Sequence, residues 1–161
     1  MSARDVVLIG VILFSVAMGL FVIHFAGTTI VNNMLSVGVV NESEGAVTAL
    51  GSITEAVNRL DYIVFAVFIG LLLGLIITGW FIGGNPMFMF IYFLVSVIGV
   101  IISMVLANVW EDVSGASVFG TTVSNFPLAN NLMLYLPVYV AVAGFIGIVV
   151  MFGKPYFGQN E

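Results

Sequence analysis

Apolar positions along the chain gather into four long runs, over residues 6–23, 62–83, 87–107 and 132–152, with few polar interruptions inside them. A helix needs about 18–20 apolar residues to cross the ~30 Å hydrocarbon core of a bilayer. The pattern therefore predicts an all-α integral membrane protein with four transmembrane helices in a single membrane domain. The spans are expected over about 6–26, 61–83, 87–108 and 132–153, with an extramembrane hairpin over 27–60 and a loop over 109–131. Arg4 followed by an apolar run imitates a secretory signal. That run exceeds the usual signal core and Asp5 weakens the basic start, so a retained first helix is the expectation.

The segment between the first two runs keeps a helical rhythm. Asp5 suits the N-terminus of the first helix. Beyond His24, the residues Ile30, Met34 and Val37 recur at near-helical spacing among Thr28, Thr29, Asn32 and Asn33, which extends the helix to about residue 39. A break follows at Val40-Asn41-Glu42-Ser43-Glu44-Gly45. Ala46, Leu50, Ile53, Val57 and Leu60 then stand 4, 3, 4 and 3 residues apart and form one apolar stripe, while Thr48, Ser52, Glu55 and Arg59 take another face. Glu55 and Arg59 are placed for an i,i+4 ion pair of about 0.3 kcal/mol. No breaker precedes Tyr62, so the second helix is expected to run from about residue 45 to 82, roughly 55 Å at the helical rise. The first two helices would make a hairpin projecting from the bilayer. Its stripe needs cover, either from the first helix or from a partner protein, which makes those five residues the candidate partner-binding set.

Gly83-Gly84-Asn85-Pro86 combines a helix stop with a helix start. So tight a turn predicts that the second and third helices are antiparallel neighbours. The third helix is expected to end near Asn108-Val109-Trp110, with Trp110 as an interfacial anchor. The loop that follows holds Gly115, Gly120 and Pro127 as breakers and Phe119 and Phe126 as apolar points, and should fold back onto the bundle or the interface. Pro137 is tolerated within one turn of a helix start and kinks the helix if it lies deeper.

Composition supports lipid as the solvent. Hydrophobic residues make up 61% and charged residues 7% of the chain, against about 25% charged in soluble domains. A formal charge of −5 argues against nucleic acid as a partner. Cysteine is absent, which excludes disulfides, thiolate metal sites and cysteine nucleophiles. Four spans place both termini on one side. Arg4 and Lys154 there, against Arg59 opposite, favour cytoplasmic termini.

Chemistry-bearing residues are sparse. His24 and Asp61 fall at equal height on adjacent helices if the hairpin turns near Glu42, making a possible interfacial polar pair or a proton relay. Ser15, Thr78, Ser96 and Ser103 are scattered, which does not build a selective filter. Gly70 and Gly74 form a GxxxG in the second span. Ser96, Gly99 and Ser103 give the third span a small-residue face, and Ala143, Gly144 and Gly147 do so for the fourth. These are candidate helix-packing residues, within the bundle or between copies. Tyr62, Tyr135 and Tyr156 suit interfacial belts. No hydrolase, phosphate-loop, zinc-protease or dinucleotide motif is present, so no catalytic, cofactor-binding or metal-ligating residue is assigned and an enzyme is not expected. The expected function is that of a non-enzymatic structural or assembly subunit of a larger membrane complex or of a lipid-containing virion. Its partners would be the lipid bilayer and other membrane or capsid-type subunits or copies of itself. The alternative is an oligomeric pore, an ion channel or a holin-like lysis protein.

Overall fold

In the computed structural model, residues 4–82 and 86–157 are described, and among them there is helix and short turn but no strand. Three helical stretches are long and apolar enough to cross a membrane, Val7–Leu35, Glu44–Ile77 and Phe90–Gly115. A bent pair, Pro127–Leu134 with Leu136–Met151, makes a fourth if taken as one span. The Gly83–Asn85 part of the expected tight turn lies outside the described residues.

Helix α1 (Arg4–Leu35) points a strict series inward: Ile9, Leu13, Ala17 and Phe21, then His24 and Val31. That spacing lays one ridge along the helix. Its 32 residues span about 48 Å, well beyond a ~30 Å hydrocarbon core. The hairpin tip includes a break inside the predicted 40–45 segment, at Glu42–Ser43, but is longer than expected. It starts earlier, at Ser36-Val37, passes through a single-turn helix α2 (Gly38–Asn41), and enters α3 (Glu44–Asn58) from an extended Ser43. Glu44 then sits in the first turn of α3, where the helix dipole favours an acid.

α3 and α4 (Leu60–Ile82) read as one span, with a local tightening at Arg59, whose amide reaches both Glu55 and Ala56 carbonyls. α3 lies on the outer turns of α1. Leu50 and Val31 are buried there, and a Cβ on Gly27 would stand 3.2 Å from Val57 Cγ2. The stripe singled out for a partner is thus largely covered by α1: Leu50 is buried, Ala46, Val57 and Leu60 are half-buried, and only Ile53 remains exposed.

α5 (Pro86–Gly115) runs five residues past Trp110 instead of stopping there. Its inward stripe reads Tyr92, Ser96, Gly99, Ser103, Ala107, Trp110, small residues between two large rings. A 3-10 turn (Ser117–Phe119), α6 (Gly120–Ser124) and α7 (Pro127–Leu134) fill the segment predicted as a loop. α8 (Leu136–Phe157) completes the bundle. The fourth span is not straight from residue 132: α7 and α8 meet at 71°. Tyr135 closes α7 with its amide and opens α8 with its carbonyl, which accepts from Val138 and Tyr139. Pro137 explains the break, because a helix continuing through it would lose the bond to Met133 and clash with that carbonyl.

The four long helices form a ring in the order α1, α5, α8, α4, each packed on its neighbours. Among the described residues, α4 and α5 are consecutive in the chain but stand across the ring, contrary to the expectation that they are neighbours. The reason lies in side-chain volume. α5 and α8 carry facing stripes of small residues and make the most extensive helix pair. A Cβ on Gly144 would meet Ser96 Cβ at 3.1 Å, and one on Gly147 would land on the Tyr92 hydroxyl.

Gly70 and Gly74 differ. A Cβ on either would meet nothing within 4 Å, and both lie on the exposed face of α4, so they do not pack within the bundle. Gly147→Ala is therefore expected to lower stability by about 1–3 kcal/mol through overpacking. Gly70→Ala should stay within about 0.5 kcal/mol of the parent. Unfolding in mixed detergent micelles, followed by circular dichroism, compares the two.

Candidate functional site

Among the described residues, three of the buried polar side chains, His24, Asp61 and Thr122, collect at the end of the bundle from which the hairpin rises, while Ser96 and Ser103 are buried along α5. The inward stripe of α4 reads Asp61, Val64, Phe68, Leu75. Asp61 keeps register with the apolar residues that follow, and this carries its carboxylate inside, 4% exposed. There it meets the first turn of α7. Pro127 opens that helix, where its missing N–H is no loss. The next amides, of Leu128 and Ala129, have no helical carbonyl to reach, and the N-cap residue Phe126 offers no side-chain oxygen. Asp61 takes both. Oδ2 accepts from the Leu128 amide at 3.0 Å and Oδ1 from the Ala129 amide at 2.7 Å. A carboxylate thus stands at the positive end of a helix from which it is separated by more than sixty residues of chain.

His24 takes a different partner. It is fully buried and its Nε2 lies 3.0 Å from Asn58 Oδ1, with Nε2–H as donor. Its Nδ1 and the hydroxyl of Thr122 are buried and make no hydrogen bond. The edge of Phe126 meets the imidazole at 4.8 Å between ring centroids. His24 and Asp61, expected as a pair, are therefore not joined: each is held by a group that spacing did not single out. Both Asp61 oxygens accept from amides of α7, so this contact ties α4 to α7, while His24 is held separately by Asn58.

Aromatic rings pack the rest of the cluster. Phe21 touches Trp110, Phe119 and Phe126 at centroid distances of 5.1, 5.3 and 6.0 Å. Trp110 is fully buried and donates from Nε1 to Asn130 Oδ1 at 2.9 Å, so it is a core residue and not a lipid-facing anchor. Tyr62 and Tyr135 are exposed at this level, as an interfacial belt requires. Tyr156 lies among residues whose side chains are not described. A cavity of about 160 Å³ lies between α4, α7 and α8, lined by Phe65, Phe68, Leu128, Asn131, Leu132 and Tyr139. The Tyr139 hydroxyl donates to Asn131 Oδ1 at its polar edge, 3.2 Å away. A second, apolar groove of about 230 Å³ runs along the outside of the α5–α8 pair, beside Ser96 and Gly144. Among the described residues no cluster of His, Asp and Glu has the makings of a metal site.

Outside this cluster, Glu55 and Arg59 form the anticipated exposed i,i+4 ion pair. Ser103 is buried and bonds back to the Val100 carbonyl, and Ser96 does the same to Tyr92. Asn58, Thr122 and Asn130 were not singled out by their spacing. A signal for the Asp61 contact did exist in the chain: an acid in register with Val64 and Phe68, and a Phe-Pro helix start with no capping side chain. Compared with known protein families, with curated proteins and with solved structures, the chain matches none.

Asp61→Ala removes two charge-assisted bonds and should cost about 1.5–3 kcal/mol. Amide exchange at Leu128 and Ala129 should rise with it, whereas Asp61→Asn, which keeps one acceptor, should lose less. Asn58→Leu leaves His24 buried without its partner. It is expected to cost about 1–3 kcal/mol in the same unfolding measurement.

Proposed function

We propose that this protein is a non-enzymatic membrane subunit that assembles into a larger complex, in a cellular membrane or a lipid-containing particle, through the hairpin of α1, α2 and α3. One observation carries the proposal. At about 48 Å, α1 is longer than a ~30 Å hydrocarbon core requires, and Ile30, Met34, Val37 and Ile53 are exposed on the hairpin, Ile30 to 58%; on this reading the hairpin rises out of the bilayer. Lipid tails cover such residues inside the bilayer; outside it, uncovered apolar residues mark a protein contact. The buried polar groups support the same reading, because His24, Asp61 and Trp110 are engaged in fixing helices and a rigid bundle is what an assembly subunit needs. On the balance of Arg4 and Lys154 against Arg59, the hairpin is placed on the non-cytoplasmic side.

A second reading, the oligomeric pore, is favoured by the outward Gly70–Gly74 face, which would let the backbones of two copies approach closely. Native mass spectrometry of the gently solubilised protein separates the two. An assembly subunit is expected at fixed stoichiometry with larger, different proteins. Ile53→Asp should then abolish that association while the isolated protein keeps its unfolding midpoint. A homo-oligomer that conducts ions in liposomes, and loses conduction with Gly70→Leu, would overturn the assembly reading in favour of the pore.

A further inference from the structure

Two buried side chains at the foot of the hairpin carry polar atoms that no group among the described residues meets. They are Nδ1 of His24 and the hydroxyl of Thr122, on residues 0% and 1% exposed. In folded proteins such atoms are met by protein or by ordered water, because leaving them bare is costly. Elsewhere in the chain Thr28, Thr48 and Thr54 return their hydroxyls to a carbonyl four residues back. Thr122 makes no such bond. Val118, four before it, belongs to the 3-10 turn, and Phe119 between them departs from helical dihedrals.

The surrounding rings bring the two groups together. Phe119, Thr122 and Phe126 recur three and four residues apart, on one side of the α6 segment. Phe119 lies against Phe21 and Phe25 of α1, and Phe126 lies against Phe21 and His24. Thr122 is therefore turned toward the turn of α1 that holds His24. The imidazole donates from Nε2 to Asn58, at the end of α3, so its Nδ1 is an acceptor. The two groups are complementary, since a hydroxyl both donates and accepts, yet they do not bond each other directly. A charged ligand does not suit the place, because both Asp61 oxygens are already engaged by α7 amides and rings line the rest. Water does suit it: a buried water needs at least two polar partners and little room.

We propose that one ordered water molecule is bound between His24 Nδ1 and Thr122 Oγ1, donating to the imidazole nitrogen. Hydrogen bonds then run from Asn58 through His24 and the water to Thr122, joining α3, α1 and α6. The water fastens the foot of the hairpin to the segment before α7. The site is independent of the assembly reading.

Thr122→Val tests the site by the sign of its effect. If the hydroxyl is truly bare, replacing it with a methyl removes a cost and raises the unfolding midpoint; if it holds a water, the midpoint falls. The expected result for the full chain in detergent micelles is a fall, with the unfolding equilibrium constant raised about fivefold. His24 is the one histidine of the chain, so histidine-selective 15N labelling gives the spectrum of a single imidazole. In solid-state NMR of the protein in bilayers, Nδ1 should correlate with water protons, and Thr122→Val should abolish that correlation. The spectrum of the unaltered protein decides even if the variant fails to fold. A raised midpoint, or an Nδ1 that correlates with no water, would overturn the site. A correlation with the Thr122 hydroxyl proton in place of water would replace it by a direct bond. A water signal unchanged in Thr122→Val would overturn the bridge.

Discussion

Two amides at the start of a short helix set much of this structure. Pro127 starts α7 and Phe126 offers no capping oxygen, so the first amides of α7 are left without partners of their own, while Pro137 ends the helix at Tyr135 and turns the chain into α8. Backbone groups in apolar surroundings need partners inside the protein. Asp61 provides both from another helix, and its own burial is tolerable for the same reason, since its two oxygens meet donors at the positive end of a helix dipole. The contact ties α4 to α7. It thereby seats Phe126 between His24 and Phe21 and closes the end of the bundle beneath the hairpin.

The middle of the bundle is held by a different force. Between helices in lipid there is little hydrophobic gain to be had, and close packing decides which helices meet. Ser96 and Gly144 bring the backbones of α5 and α8 together, and the ring of Tyr92 fills the space that Gly147 leaves. That pairing draws α8 between α5 and α4, so chain neighbours become diagonal partners. Connection length constrained how far apart α4 and α5 could stand, but side-chain volume chose the corner each occupies.

These two devices divide the molecule into a rigid base and a protruding arm. Ionisable groups at the base are engaged in holding helices. The arm is covered on its inner seam by its own two helices and left apolar on one flank, with acids at the tip. That exposed apolar flank is the feature on which the proposed role rests.

How much of this was present in the sequence depends on the range of each interaction. Span length and composition depend on the solvent and on local periodicity, so the all-helical architecture with three to four helices long and apolar enough to cross a membrane, the long first helix and the Glu55–Arg59 pair follow from the residues alone. The inward registers of His24 and Asp61 were also there to be seen, as continuations of apolar stripes. Their partners were not, because Asn58 and the amides of Leu128 and Ala129 come near only once the hairpin has closed and α7 has folded across the bundle. The same holds for Trp110, whose ring suits an interface or a core equally well until α6 and α7 cover it. Small-residue stripes likewise look alike in sequence: those on α5 and α8 are consumed by each other, while Gly70 and Gly74 face outward. Only the tertiary structure could decide between them, since close approach of two backbones is a property of a pair of helices and is written on neither one alone.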